Sequence, residues 1–147
     1  MEILSLICSV IAIIISVIAT YQTKSINSIN LSASYYSKIF DLYFIERIPE
    51  AWQYLWFDSK GKLTYINELS EVLTDLKKDA LYFKYNNPNF YEELCKKTDA
   101  LEDCIMELAN KSTDASMQEE KKNGISALIE NIYYCIDNSQ KGRSYKT

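Results

Sequence analysis

The amino-acid sequence predicts an all-α protein in which a single N-terminal transmembrane helix continues into a cytoplasmic helical bundle. Residues 3–19 form an apolar run without charge, Gly or Pro, just long enough to cross the hydrocarbon core of a bilayer. The 147 residues include only 3 Gly and 2 Pro, too few for the turns of a sandwich or barrel. The later apolar residues recur at helical spacing.

Four segments are expected along the chain. They are a transmembrane helix at 1–21, a cytoplasmic extension of the same helix at 22–48, a helical bundle at 49–138 and a flexible tail at 139–147. Pro49 fits the first turn of a new helix, where its missing N–H has no intrahelical partner anyway, and the turn residues at 58–61 are expected to end that helix. Amphipathic patterns then predict long helices over 65–85, 89–110 and 117–137, with short joins typical of an up-down bundle.

The charges that flank the apolar run predict its orientation. Lys24 and Lys38 follow the run, and no basic side chain precedes it. The positive-inside rule therefore predicts a single-pass inner-membrane protein with its N-terminus outside and its C-terminal domain in the cytoplasm. A cleaved signal peptide is the alternative, because Val17 and Ala19 imitate a cleavage box, but the two residues before the run carry no Lys or Arg.

Small and polar residues recur along one face of the N-terminal helix at steps of three and four. Small faces let copies of a helix pack closely, so the pattern predicts self-association with the lipid bilayer around it. With four or more copies the polar face lines a pore, in which Asp41 favours cations. A bare anchor and packing without conduction stay open as alternatives. The predicted pore-lining residues are Ser5, Ser9, Ala12, Ser16, Thr20, Thr23, Asn27, Asn30, Ser34 and Asp41.

Catalytic motifs are not found in the sequence, and we expect neither an enzyme nor a cofactor. The chain has no His, the commonest general base and metal ligand. It has no Gly-rich phosphate loop and no nucleophile elbow. Its four Cys form no CxxC pair, so we expect no metal site. The net charge of -4 with scattered basic residues gives no electrostatic footprint for duplex nucleic acid.

Lysines and tyrosines are interleaved in residues 76–97, LKKDALYFKYNNPNFYEELCKK. Aromatic stacking beside Lys holds nucleotides and single strands without a rigid motif. Ordinary packing, with lysines near helix C-termini, is the alternative. The predicted ligand-binding residues are Lys77, Lys78, Tyr82, Lys84, Tyr85, Tyr91, Lys96 and Lys97.

Aromatic residues are dense between residues 43 and 57. Two interpretations stay open for them: a core beneath the following helices, or a collar near the lipid headgroups. The residues are Tyr43, Phe44, Trp52, Tyr54, Trp56 and Phe57.

The whole-chain plan resembles that of a family of bacterial antiphage effectors. It combines the apolar run at 3–19, the uninterrupted segment YQTKSINSINLSASYYSKIF and an aromatic helical remainder. In this it resembles the transmembrane effectors of Hailong-type systems. The resemblance implies an oligomeric membrane effector held inactive by an oligonucleotide from a partner nucleotidyltransferase, which opens and depolarises the cell when phage removes that ligand. No single residue's role is carried over.

The expected function is therefore a homo-oligomeric inner-membrane effector that forms a gated pore in antiphage defence, with a nucleotide or oligonucleotide holding it closed. The alternatives are a membrane-tethered helical binding module that recruits a partner without conducting, and a structural anchor subunit of a larger complex.

Overall fold

The computed structural model describes the backbone of residues 2–144 and the side chains of residues 11–139. A π-helix at Phe40–Arg47 follows the first α-helix. The α-helices are α1 (Glu2–Ile39), α2 (Ile48–Gln53), α3 (Ile66–Asp79), α4 (Leu81–Asn86), α5 (Pro88–Asn110) and α6 (Ala115–Ser144). Two short strands, β1 (Trp56–Phe57) and β2 (Leu63–Thr64), pair as an antiparallel hairpin. The described chain is overwhelmingly helical, which confirms the all-α prediction.

The chain divides into two units, Met1–Tyr35 and Tyr36–Thr147. The described part of the first unit is α-helix, and its apolar side chains between residues 11 and 18 are more than half exposed. Within the residues that the structure describes, none of the helices combines the length and the apolar character needed to cross a membrane. Residues 3–10 of the predicted span lie outside the described side chains.

In the second unit α5 packs against α3, α4 and α6. Its apolar positions recur at three- and four-residue steps, which places them on one face. The fully buried side chains of the core include Leu69, Leu73, Leu76, Phe83, Leu94, Leu101, Ile105, Ile125, Ile132 and Ile136.

The π-helix is the first departure from the expected secondary structure. We expected one continuous α-helix over 22–48, but residues 40–47 bond in the wider register, in which an N–H donates to the carbonyl five residues back. The N–H of Ile48, for example, donates to the carbonyl of Tyr43. Pro49 lies in the first turn of α2, as predicted. Because Pro49 has no N–H, the hydrogen-bond ladder changes where the two helices join.

The hairpin is the second departure. The sequence suggested that the helix beginning at Pro49 ends at the turn 58–61, but α2 ends at Gln53 and β1 follows. The turn itself is present. The Asp58 carboxylate accepts hydrogen bonds from the N–H groups of Lys60 (2.8 Å) and Lys62 (2.9 Å). These bonds lower the pKa of Asp58 and close the hairpin.

Two helix boundaries also differ from expectation. The helix expected over 65–85 is divided at Ala80 into α3 and α4. Helix α6 continues to Ser144, so most of the segment expected as a flexible tail, 139–147, has a helical backbone. The helix predicted over 89–110 agrees closely with α5, Pro88–Asn110.

The aromatic residues between 43 and 57 fit neither interpretation as a group. Tyr43 and Phe44 are buried in the second unit, as expected for a core. Trp52 and Phe57 are half-buried, whereas Tyr54 and Trp56 are about half exposed, at 53% and 52%. The dense aromatic segment therefore supplies both core and surface.

A glycine joins the hairpin to the loop between α5 and α6. Gly61 has a φ of +72°, a conformation that costs little only for Gly. Its carbonyl accepts a hydrogen bond from the Thr113 N–H at 2.8 Å. A Cβ at this position would lie 2.2 Å from the Thr113 carbonyl oxygen, so no larger residue fits without moving backbone.

We predict that Gly61→Ala destabilises the protein by roughly 2–4 kcal/mol, because it adds both backbone strain and a backbone clash. The measurement is chemical denaturation of the full chain, monitored by circular dichroism. Gly124→Ala is the matched control: Gly124 lies in α6 with nothing within 4 Å of an added Cβ. There Ala should stabilise by about 0.5–1 kcal/mol. Equal effects of the two substitutions would contradict the prediction.

Candidate functional site

The described members of the predicted pore-lining set lie on one side of α1. The members on α1 are all exposed: Ala12, Ser16, Thr20, Thr23, Asn27, Asn30 and Ser34. Four of them lie next to one another along the helix. Ser16, Thr20, Thr23 and Asn27, together with Ala19 and Lys24, line a shallow groove along the helix. Ser5 and Ser9 lie outside the described side chains.

Two hydroxyls on this face bond back to their own helix. Thr20 Oγ1 donates to the Ser16 carbonyl at 2.8 Å, and Thr23 Oγ1 donates to the Ala19 carbonyl at 2.9 Å. Both hydroxyl protons are therefore satisfied within one chain. The oxygens still have lone pairs that accept hydrogen bonds from water or from another chain.

Asp41 differs from the other members of the set. It lies in the π-helix, so the spacing of 3.6 residues per turn that placed it on the polar face ends just before it. Its carboxylate is exposed and accepts a hydrogen bond from Ser37 Oγ at 3.2 Å.

The structure distributes the predicted ligand-binding residues over α3, α4 and α5. Lys77 reaches from α3 to α5, where its Nζ lies 2.8 Å from Asp99 Oδ1 and 3.1 Å from Glu102 Oε2. Burial disfavours its charge, but the bonds to these two carboxylates outweigh that effect and raise the pKa of Lys77. Lys78 pairs with Asp75 at 3.3 Å. Lys77 and Lys78 thus neutralise nearby carboxylates.

The other members of this set are spread over α4 and α5. The Tyr82 ring meets the Phe83 ring edge-on, with centroids 5.2 Å apart. Tyr85 is 83% exposed, and Lys84 is exposed beside it in sequence. Burial and then a hydrogen bond with Cys95 raise the pKa of Tyr91.

Lys96 and Lys97 do line a groove, which lies between α5 and α6. It consists of two adjoining hollows of about 330 and 260 Å³ that share Glu93, Lys97 and Asn131. Lys97 Nζ lies 3.5 Å from Glu93 Oε1. The remaining polar lining residues are Asn87, Asn89, Asn138, Tyr134, Ser139 and Lys96.

A buried tyrosine joins the wall of this groove. The Tyr36 hydroxyl lies 2.8 Å from Ser139 Oγ, and Asn87 Nδ2 donates to both oxygens, at 3.0 and 3.2 Å. Tyr36 is 1% exposed, and its ring packs at a tilt against those of Phe83 and Phe90, with centroids 4.3 and 5.0 Å away. Groove residues and core are therefore linked through one hydrogen-bonded triad.

The Cys135 thiol in the groove lining has low reactivity. Burial, followed by the nearby Glu93 carboxylate, raises the pKa of the Cys135 thiol to about 12. A thiol with so high a pKa is protonated at neutral pH, and the thiolate is the nucleophilic form. The groove is suited to hydrogen bonding, because it offers amides, hydroxyls and ammonium groups.

Most of this groove does not show in the sequence pattern. The interleaved lysines and tyrosines point to Lys96 and Lys97 but to none of Asn87, Asn131 or Ser139. The only sequence indication was the Asn-Asn-Pro break before α5. Asn87 occupies the N-cap position of α5, yet its side chain makes no capping bond there and contacts Tyr36 and Ser139 instead.

A second polar cluster ties the π-helix to α3. The Tyr43 hydroxyl donates to Asp79 Oδ2 at 2.8 Å, and burial, followed by this bond, raises the pKa of Tyr43. Arg47 Nη1 lies 2.9 Å from Asp75 Oδ2. The hydrogen bond from Arg47, followed by that from Lys78, lowers the pKa of Asp75.

We predict that Asp75→Asn lowers the thermal midpoint of the protein at neutral pH. The pKa of Asp75 in the folded state lies below its ordinary value of 3.8, so its contribution is present above that pH and is lost as the pH falls through the folded value. The wild-type and variant midpoints should therefore converge as the pH falls below the folded-state pKa of Asp75. Asp103→Asn, at an exposed carboxylate of α5, is the control. A difference that persists unchanged in acid would contradict the assignment.

The comparisons with known proteins give no relative: no protein-family model, no curated protein and no solved structure is significantly similar to this chain.

Proposed function

We propose that the protein is a homo-oligomeric inner-membrane effector whose N-terminal helix forms a gated pore that depolarises the cell, in antiphage defence. In this proposal residues 3–19 cross the inner membrane once, with the N-terminus outside and the domain from residue 49 in the cytoplasm. The observation that carries it is the surface of α1, where large apolar side chains stand exposed beside a line of small and polar ones.

The apolar part of that surface needs a nonaqueous partner. Ile11, Ile13, Ile14, Ile15, Val17 and Ile18 are each more than half exposed, and contiguous exposed apolar surface marks contact with a membrane or another protein. Hydrocarbon is one such partner.

The polar line supports self-association. Small residues at three- and four-residue steps allow close approach of helices in a bilayer. In a ring of four or more copies, the line from Ser5 to Ser34 surrounds a central water path, the usual construction of a pore.

The groove between α5 and α6 supports a nucleotide or oligonucleotide ligand, supplied by a partner nucleotidyltransferase, that holds the pore closed. Lys96 and Lys97 offer cations to phosphate groups. The asparagine amides offer both donors and acceptors to base edges, and the exposed ring of Tyr134 offers a stacking surface. Tyr82, Tyr85 and Lys84 lie on α4, outside the residues that line it.

A second candidate is a membrane-tethered helical binding module that recruits a partner and conducts nothing. The back-bonds of Thr20 and Thr23 favour it, because hydroxyl protons satisfied within one helix need no second chain.

We predict that replacing Ser9, Ser16 and Asn27 together with Leu abolishes conduction, because a Leu-lined path excludes water and ions. The measurements are membrane potential in expressing cells and ion flux in liposomes that contain the purified full-length chain. The matched control is Ile11→Leu, Val17→Leu and Ile26→Leu, three changes off the polar line.

Depolarisation that survives the first triple substitution would contradict the pore assignment. Exchange of residues 3–19 for an unrelated poly-Leu helix then separates the two candidates, because a tethered module keeps its function after the exchange and a pore loses it.

We predict that Lys96→Ala with Lys97→Ala weakens binding of short single-stranded DNA or RNA roughly tenfold at low salt, since each cation contributes through counterion release. Fluorescence anisotropy with the full-length protein in detergent measures the effect. Lys78→Ala with Lys84→Ala, two lysines outside the groove, is the control. Equal loss in both double variants would contradict a specific role for the groove, and no binding of either probe by the wild type would contradict the ligand.

A further inference from the structure

The π-helix ends against a proline, and this leaves one buried carbonyl without a backbone donor. The N–H of Ile48 donates to the Tyr43 carbonyl. The next carbonyl, that of Phe44, would accept from Ile48 in an α-helix and from Pro49 in a π-helix. The first donor is already engaged, and the second does not exist because proline has no N–H.

A side chain from α6 takes the place of the missing donor. The Tyr133 hydroxyl donates a hydrogen bond to the Phe44 carbonyl, and its ring meets the Phe44 ring edge-on with centroids 4.3 Å apart. Burial raises the pKa of the Tyr133 hydroxyl, so it keeps the proton that it donates. The π register is thus completed by a residue that lies 89 positions away in the sequence.

The other bonds of the π-helix do not select its register in the same way. Tyr43 donates to Asp79, and Arg47 pairs with Asp75. Both bonds attach long, rotatable side chains to α3. Tyr133 donates to a backbone carbonyl. The two registers differ in which backbone carbonyl is left without an N–H donor, so this bond can select between them.

Removal of the Tyr133 bond favours the α register. The π register then leaves an unpaired carbonyl at Phe44, a residue that is 2% exposed. In the α register Ile48 donates to Phe44, and the unpaired carbonyl becomes that of Ile45, which is 64% exposed. Buried unpaired carbonyls are costly, whereas exposed ones bond to water.

We propose that Tyr133 is a latch that holds residues 40–47 in the π register, and that its release lets this segment shift toward an α-helix. The device acts whether or not α1 conducts ions.

The neighbouring residue gives this latch an input. Tyr134 lines the groove between α5 and α6, directly after Tyr133 in the sequence. A molecule that fills the groove therefore contacts the turn of α6 that carries Tyr133.

The experiment is hydrogen exchange of the full-length protein in detergent, read by mass spectrometry on the peptide that covers residues 40–48. Tyr133→Phe should speed exchange there by about five- to tenfold, the effect expected from loss of one intramolecular hydrogen bond, and leave α3 unchanged. Tyr85→Phe is the control, because Tyr85 is 83% exposed and lies on α4, which carries neither the latch nor the groove.

Pro49→Ala provides the second test. It restores an N–H that can reach the Phe44 carbonyl, so the double variant Tyr133→Phe with Pro49→Ala should return exchange of residues 40–48 close to the wild-type rate. Three results would each overturn the latch: unchanged exchange in Tyr133→Phe, an equal rise across α3 and α5, or no rescue by Pro49→Ala. Ion flux is measured separately, so failure of the pore leaves this test intact.

Discussion

Burial of one face of α5 is the constraint on which the rest of the second unit depends. Leu94, Leu101 and Ile105 are fully buried on that face, and each such side chain contributes on the order of 1.5–3 kcal/mol. Thr98 is buried on the same face. Its hydroxyl is not left unpaired there, because it donates to the carbonyls of Leu94 and Cys95. Helices α3, α4 and α6 all pack on α5, so the groove and the ion pairs of Lys77 are positioned by it.

Helix α6 connects features that are far apart in the sequence. Its apolar face packs on α5, Tyr133 contacts the π-helix, and Ser139 joins Asn87 and Tyr36. Tyr133, which bonds to the π-helix, and Ser139, which lines the groove, are thus carried by one helix. Rigid elements with two arrangements are the usual physical means by which one site affects another.

Local patterns in the sequence predicted the helical class, the bounds of α5 and the first turn of α2, because periodicity and proline chemistry are local properties. The π-helix was not predictable, since its register depends on the Tyr133 hydroxyl, which arrives from another helix. The hairpin has strands of only two residues, too short to show alternation. The ion pairs of Lys77 were not predictable from local sequence either, because its partners Asp99 and Glu102 lie on α5, more than 20 residues further along the chain. The conducting role of the polar line and its ligand stay predictions.

The contact between Gly61 and Thr113 also orders events during synthesis. The hairpin leaves the ribosome well before Thr113, so for that interval its turn is closed only by bonds within residues 56–64, from the backbone and from the Asp58 carboxylate. The hydrogen bond from the Thr113 N–H to the Gly61 carbonyl forms only once all of α5 has been made. Such nonlocal contacts are formed late and at an entropic cost. By then the apolar start of α1 has already been synthesised. The N-terminal helix therefore contacts its surroundings before the bond between Thr113 and Gly61 has formed in the second unit.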